Sequence, residues 1–191
     1  MLIDHFAALG RPRRPWLEPE ALKEVFHRLT AEHHPDRTGD AARFTEINGA
    51  YAVLRDPVLR LRHLLELEEP AALAAAPPLP EALTATFMRI ATLRRTIDAF
   101  VKQQAAATTP LGRALLAAAR FSLQRDVELE LADLETAQAL GLEALREADR
   151  QWEERSPALV EQLAALQQEL SYLAKWGAQL REALFLFQAA G

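Results

Sequence analysis

The pattern that most constrains the fold lies in residues 157–188. Apolar side chains recur there at alternating steps of four and three for four heptads, which is the spacing of a coiled-coil seam. Ser156 and Pro157 precede this stripe and are typical of a helix N-cap followed by proline in the first turn. The stripe comprises Leu159, Leu163, Leu166, Leu170, Leu173, Gly177, Leu180, Leu184 and Phe187. So narrow an apolar stripe must be covered by another helix.

The preceding segment offers a matching stripe for an antiparallel pair. Its members are Leu116, Leu123, Val127, Leu131 and Leu134. The periodicity predicts helices at about 80–105, 110–140 and 157–188, with a polar helical piece at 143–154. We therefore expect residues 80–191 to form an antiparallel three-helix bundle with a long, coiled-coil-like last helix. The stripe at 157–188 could alternatively pair with a second copy and form an oligomer.

A helical hairpin is predicted nearer the N-terminus. Residues 19–33 have apolar side chains at helical spacing, and Pro19 suits the first turn of a helix. After the polar residues 37–40, the period resumes and ends at Asp56-Pro57, while shorter helices are predicted at 4–9 and 58–67. The expected core comprises Phe6, Leu9, Phe26, Leu29, Ile47, Tyr51, Leu54 and Leu64.

Prolines separate the two helical regions. Pro77, Pro78 and Pro80 remove amide donors and disfavour a continuous helix. The expected organisation is a domain at 1–68, a linker at 69–79 and a bundle at 80–191. The expected fold class is all-α, since no strand-like alternation occurs.

Composition narrows the function. The chain has no cysteine and a net charge of −5, so thiolate chemistry is excluded and a broad basic surface for nucleic acid is not expected. No window approaches the roughly 20 apolar residues of a membrane span. No secretion signal is recognised at residues 1–15, and we expect a cytoplasmic protein. We find no phosphate loop, nucleophile motif or metal-ligand spacing, and therefore expect neither an enzyme nor a cofactor.

The residues most indicative of function are His34, Pro35 and Asp36, which fall between the two amphipathic helices. Proline fixes the backbone there, and the flanking histidine and aspartate can form a rigid polar tip. The leading helix reads Leu-Lys-Glu-Val-Phe-His-Arg-Leu at 22–29, and the following helix contains Ile-Asn-Gly-Ala-Tyr-Ala-Val-Leu-Arg-Asp-Pro at 47–57. In this register, residues 2–67 resemble the J-domain family of co-chaperones.

This resemblance implies that His34, Pro35 and Asp36 dock on an ATP-bound chaperone of the DnaK or HscA type and trigger hydrolysis. Basic residues of the preceding helix would contribute, namely Lys23, His27 and Arg28. They share much of one helix face and could steer an acidic partner. The alternative is that Lys23 and Arg28 form ion pairs on a solvated helix.

Two segments resemble the HscB type, the co-chaperones that deliver an iron–sulfur scaffold protein to its chaperone. They are the run Asp-Pro-Val-Leu-Arg-Leu-Arg-His-Leu-Leu at 56–65 and the run Phe-Met-Arg-Ile-Ala-Thr-Leu-Arg-Arg-Thr-Ile-Asp at 87–98. The resemblance implies a client-binding face with Phe87, Met88, Arg94 and Arg95. The family's acidic residues on this helix are replaced here by Thr92, Arg95 and Ala99.

Two alternatives stay open at this stage. Phe87 and Met88 could be exposed anchors for a client or core residues of the bundle. The protein could also be a J-like interaction module that recruits a chaperone to a complex, or self-assembles through its C-terminal helices, with no iron–sulfur role.

Overall fold

The computed structural model describes residues 3–38, 40–74, 78 and 80–189, and it describes side chains within these ranges except at 37, 38 and 186–189. This part of the chain is all-α, as predicted, and contains no β-strand. The helices are α1 His5–Ala8, α2 Pro19–Glu32, α3 Pro35–Thr38, α4 Ala41–Leu54, α5 Pro57–Glu68, α6 Pro70–Ala74, α7 Glu81–Ala106, α8 Pro110–Arg150 and α9 Pro157–Ala189, with a 3-10 turn at Trp152–Glu154. None of them is long and apolar enough to cross a membrane.

Helix ends follow local chemistry. The carboxylate of Asp56 accepts from the amides of Val58 and Leu59, at 2.8 and 3.1 Å, and so caps α5. Pro57 occupies the first turn of α5, where its missing N–H is not needed. Gly10 follows α1 with φ +59, a conformation that glycine adopts without steric cost.

Two local predictions differ from the structure. The segments predicted at 110–140 and 143–154 form one continuous helix as far as Arg150. Gly141 lies within it, and one glycine costs only about 1 kcal/mol relative to alanine, too little to end a long packed helix. The short helix α6 lies within the expected linker, while Pro77 and residue 79 lie outside the described residues.

The chain divides into two compact units. The first comprises Met1–Pro77 with Gly141–Gln168, and the second comprises Pro78–Leu140 with Glu169–Gly191. This grouping differs from the single domain expected at 80–191, because residues 141–168 associate with the N-terminal helices.

In the first unit, α4 packs against α1, α2 and α5. Of the expected core, Phe6, Leu9, Ile47, Leu54 and Leu64 are buried. Phe26, Leu29 and Tyr51 are only half-buried. Residues of the C-terminal segment are buried in the same unit, among them Leu145, Ala148, Trp152, Leu159 and Leu163.

A buried arginine joins several segments of the first unit. Arg60 is 2% exposed and donates to the carbonyls of Pro15 at 3.0 Å and Leu54 at 2.8 Å. Burial lowers the pKa of Arg60 to about 10. The Trp16 ring lies near two guanidinium groups, with the Cζ of Arg60 at 5.4 Å and the Cζ of Arg146 at 4.3 Å from its centroid. These cation–π contacts link α5 and the end of α8 to the loop before α2.

The second unit is the predicted three-helix bundle, with a core drawn from α7, α8 and α9. Its buried members include Leu83, Ile90, Ile97 and Phe100 on α7, Leu123, Val127, Leu131 and Leu134 on α8, and Leu173, Trp176 and Leu180 on α9. The predicted stripe of α8 and the C-terminal part of the predicted stripe of α9 are therefore used within the bundle, whereas Leu159, Leu163 and Leu166 belong to the first unit.

The seam of α9 is covered inside the chain. Leu159, Leu163, Leu166, Leu170, Leu173 and Leu180 are each less than 9% exposed. Leu184 is half-buried, and the side chain of Phe187 lies outside the described residues. Self-association through 157–188 therefore has no unpaired seam to use in the described part of that helix.

Candidate functional site

His34 lies between two helices, after α2 ends at Glu32 and before α3 begins at Pro35. The amide of His33 donates to the carbonyl of Leu29 at 3.0 Å and closes the last turn of α2. Pro35 begins the short helix α3, where a polar turn was predicted. Asp40 then caps α4, and its Oδ1 accepts from the amide of Arg43 at 2.9 Å. The tripeptide thus lies in a connection defined by a helix end, a proline and a helix cap.

Two side chains of the tripeptide, those of His34 and Asp36, face solvent, while Pro35 is half-buried. The exposed fraction of the side chain is 49% for His34 and 89% for Asp36. The Nδ1 of His34 accepts from the amide of Asp36 at 3.3 Å, so the proton of the neutral ring lies on Nε2. The His34 ring also meets the ring of Phe44 edge-on, with centroids 5.8 Å apart. The imidazole is therefore oriented by the connection and by α4.

Helices α2 and α4 hold this connection as a hairpin. The rings of Phe26 and Tyr51 stack with centroids 4.0 Å apart. Phe26 of α2 contacts Tyr51 of α4, whereas His34, eight residues later, contacts Phe44, which precedes Tyr51. The two helices therefore run antiparallel. Stacked aromatic pairs contribute about 0.5–1.5 kcal/mol beyond the burial of their area.

The predicted basic residues of α2 are exposed and lie on a solvated face. The Nζ of Lys23 is 3.7 Å from the Oε2 of Glu20, and the Nη1 of Arg28 is 3.2 Å from the Oε1 of Glu32. His27 is also exposed. The structure therefore contains the local ion pairs that the sequence analysis gave as the alternative for Lys23 and Arg28. Such exposed pairs contribute only about 0–1 kcal/mol, so a partner's carboxylates can replace them readily.

The second candidate face begins with Phe87 and Met88 on α7. They are 49% and 55% exposed, which excludes a core role for either residue. The Phe87 ring lies against Trp176 of α9, with centroids 6.1 Å apart. Their role in binding a client stays a prediction, but both side chains are accessible to one.

A groove of about 650 Å³ lies between α7 and α8 next to Met88. Its lining comprises Met88, Arg89, Thr92, Leu93 and Thr96 from α7 with Leu123, Asp126, Leu129, Glu130 and Asp133 from α8. The guanidinium of Arg89 binds the Glu130 carboxylate through Nη2 at 3.0 Å and Nε at 3.2 Å. This hydrogen-bonded pair raises the pKa of Arg89 above its usual value.

The carboxylates of this groove come from α8, and the sequence analysis, which placed the client-binding face on α7, did not predict them. The signal was present, because Asp126, Glu130 and Asp133 are spaced by four and three and share a helix face. Arg94 and Arg95 are exposed but do not line the groove. The Arg95 guanidinium instead donates to its own helix, at the Ala91 carbonyl and the Thr92 hydroxyl.

Comparisons with known proteins show what the N-terminal residues are similar to. The DnaJ domain family matches residues 4–63. The chaperone protein DnaJ of Caulobacter vibrioides is 46% identical over 61 residues, which are 30% of this chain and 15% of that protein. The co-chaperone protein HscB homolog of Bordetella pertussis is 40% identical over 72 residues, which are 33% of this chain and 42% of the homolog. The chain thus spans less than half the length of these curated relatives.

A solved structure matches almost the whole chain. The chaperone HscB from Vibrio cholerae superposes with a TM-score of 0.56 and 18% identity, and the match covers 94% of this chain and 96% of that one. At this level of identity the likeness establishes a shared all-α fold.

Proposed function

We propose that the protein is a co-chaperone of a DnaK- or HscA-type ATPase, because residues 4–63 match the DnaJ domain family and the chain shares its fold with a solved HscB. It binds the ATP-bound chaperone through the turn at 34–36 and stimulates hydrolysis. It is a cofactor of that reaction and carries out no chemistry itself.

The observation that carries the proposal is the presentation of His34 and Asp36. Both side chains are exposed at the end of an antiparallel hairpin, and the hydrogen bond from the Asp36 amide orients the imidazole. A side chain that is oriented before binding loses less conformational entropy on contact with a partner. Lys23 and Arg28 on α2 add positive charge that accelerates encounter with an acidic surface.

We propose further that the second unit holds the client, and that the client is an iron–sulfur scaffold protein. The similarity to HscB homologs supports this choice. The exposed pair Phe87 and Met88, together with the groove beside Met88, supplies apolar contact area of the kind that anchors protein interfaces. The alternative is an interaction module with no iron–sulfur role, which recruits a chaperone to a complex or self-assembles through its C-terminal helices. Against self-assembly stands the burial of Leu159 to Leu180 along the seam of α9.

Single-turnover hydrolysis of ATP by a purified DnaK-type chaperone tests the mechanism. His34→Gln and Asp36→Asn are each expected to abolish the stimulation that the wild-type protein produces. His33→Gln changes the neighbouring histidine and is the matched control, which should stimulate like wild type. Circular dichroism checks that all variants fold. Stimulation by His34→Gln equal to that of wild type would contradict the mechanism.

A further inference from the structure

Positive charge is concentrated at one end of the second unit. Residues 94–125, here called the basic hairpin end, comprise the C-terminal part of α7, its connection to α8 and the beginning of α8. The chain has 22 basic and 27 acidic residues, and this segment holds six of the basic residues but one of the acidic residues. The basic residues are Arg94, Arg95, Lys102, Arg113, Arg120 and Arg125, and the acidic residue is Asp98.

Much of this charge is not compensated within the chain. In the second unit, Arg89 pairs with Glu130 and Arg181 with Glu135, at 3.0 Å in both cases. In the described part of the chain, five residues of the basic hairpin end form no such ion pair: Arg94, Arg95, Lys102, Arg113 and Arg125. An uncompensated cluster attracts anionic partners and speeds their encounter.

Large apolar side chains are exposed in the same segment. Leu111, Leu115 and Phe121 are 70%, 72% and 74% exposed, and Val101 is 42% exposed. They contribute little to the core, since α8 packs inward through its other face, which carries Leu123 and Val127. Leu111 and Leu115 are one turn apart on α8, and neighbouring exposed apolar side chains of this kind mark interaction surfaces.

A groove of about 310 Å³ runs between α7 and α8 in this segment and is lined in part by Ala99, Gln103 and Ser122. Leu115 and Leu111 precede Ser122 by seven and eleven residues, so they continue the same face of α8. On α7, Arg95 and Lys102 lie four residues before and three residues after Ala99, which places both cations beside the groove. Two apolar residues of α8 and two cations of α7 therefore lie on the helix faces that supply the groove lining, which itself also contains one acidic residue, Asp126.

We propose that the basic hairpin end binds an acidic amphipathic helix of the client, with the helix's apolar side chains on Leu111 and Leu115 and its carboxylates on Arg95 and Lys102. This inference rests on the proposed function, because it names the chemistry of the client segment that the co-chaperone holds. A groove between two helices accepts a third helix in this manner. A protein segment fits better than an anionic membrane, since 26 of the 27 acidic residues lie outside this segment and would be repelled by a charged lipid surface.

The probe is a fluorescent peptide of about 18 residues, built from Glu and Leu with Leu at helical spacing so that one apolar face forms. Anisotropy is measured with the full-length chain. Two comparison peptides keep the length: one replaces every Glu by Lys, and the other scrambles the sequence so that no apolar face forms. The Glu/Leu peptide is expected to bind at least tenfold more tightly than either. Equal binding of all three peptides, or none, overturns the proposal.

Paired variants locate the surface. Arg95→Glu with Lys102→Glu, and separately Leu111→Ser with Leu115→Ser, are each expected to weaken peptide binding about tenfold. Arg150→Glu is the matched control, because this exposed arginine lies on α8 in the first unit, and it should bind like wild type. If both double variants bind like wild type, the assignment to this surface is wrong.

Vesicles of phosphatidylcholine with phosphatidylglycerol provide the last arm. Co-sedimentation with these vesicles, without binding of the Glu/Leu peptide, overturns the proposal in favour of a lipid surface. The peptide assay contains no chaperone, so its failure counts against the docking surface alone. Failure of the wild-type protein to stimulate the chaperone counts against the proposed function.

Discussion

The indole Nε1 of Trp152 donates a hydrogen bond of 2.8 Å to the backbone carbonyl of Arg13, which lies 139 residues earlier in the chain. The guanidinium of Arg155 lies over the same indole ring, at 5.0 Å from its centroid, and binds Glu68. Glu68 also binds Arg13 at 2.8 Å. The turn between α8 and α9 is thus attached to the loop before α2 within the first unit.

Replacing Trp152 tests this attachment. Trp152→Ala removes a side chain that is 2% exposed and is expected to lower the free energy of unfolding by about 3–5 kcal/mol. Trp152→Phe keeps an aromatic ring but leaves the Arg13 carbonyl without its donor, at a cost of about 1–3 kcal/mol. Urea denaturation measures both. A loss below about 1 kcal/mol for the alanine variant would show that the indole is not packed as described.

Asp149 provides a second test at the end of α8. Its Oδ1 accepts from the amide of Trp16 at 3.0 Å and from the Nε of Arg14 at 3.2 Å. Asp149→Ala leaves the Trp16 amide without its acceptor and removes the carboxylate that pairs with Arg14, and it is expected to cost about 1–3 kcal/mol in urea denaturation. Glu153→Ala is the control. This side chain is 81% exposed, and its Oε1 lies as far as 3.6 Å from the Nη1 of Arg14, so its loss should change stability by less than about 0.5 kcal/mol. Equal effects of the two variants would refute the assignment.

The buried His63 predicts loss of stability in mild acid. Its Nε2 accepts from the backbone amide of His5 at 3.1 Å, which requires an unprotonated Nε2. Burial, the largest cause, lowers the pKa of His63, and the nearby His5 lowers it further, while Glu66 and Asp4 oppose these effects.

The unfolded chain therefore binds a proton at His63 at a higher pH than the folded chain does. The resulting stability is present above about pH 6.5, the ordinary histidine pKa, and is lost as the pH falls through the lowered folded value. The urea midpoint of the wild-type protein should fall as the pH is lowered below about 6.5. In His63→Phe the fall should be smaller, and an unchanged slope would contradict the prediction.

Reversing the charge of α2 should slow association with the chaperone. Lys23→Glu with Arg28→Glu is expected to lower the association rate about tenfold at low salt, and less at high salt, because steering is screened. Arg62→Glu is the matched control, since Arg62 forms an i,i+4 ion pair with Glu66 like that of Arg28 with Glu32. Stopped-flow measurement of the rate checks this. A rate independent of both charge and salt would exclude steering by α2.

The exposure of Phe87 can be checked by comparing it with a buried neighbour on the same helix. Phe87→Ala should change the free energy of unfolding by less than about 1 kcal/mol, since 49% of the residue already faces solvent. Ile90→Ala should cost about 2–5 kcal/mol, because Ile90 is 2% exposed in the core of the second unit. Comparable losses in urea denaturation would mean that Phe87 is packed.

The sequence by itself determined the helices, because helix formation follows periodicity and caps that lie within a few residues of each other. Pro19 and the spacing of Leu22 and Phe26 predict α2, and Asp56 with Pro57 marks the beginning of α5. The position of His34 between two antiparallel helices followed from the same local signals. The periodicity also showed that the apolar stripes of α8 and α9 must each be buried against a helix, but it left open whether that helix belongs to the same chain.

Only the tertiary structure decided which distant segments meet. The contacts of Trp152 with Arg13 and of Asp149 with Trp16 join residues more than 130 positions apart, and no local pattern encodes such a pairing. The helix at Gly141 continues because packing along its length outweighs the small local cost of one glycine. Phe87 is exposed because the face of α7 that packs inward is the one bearing Ile90 and Ile97. The orientation of α7 in the bundle determines which face that is.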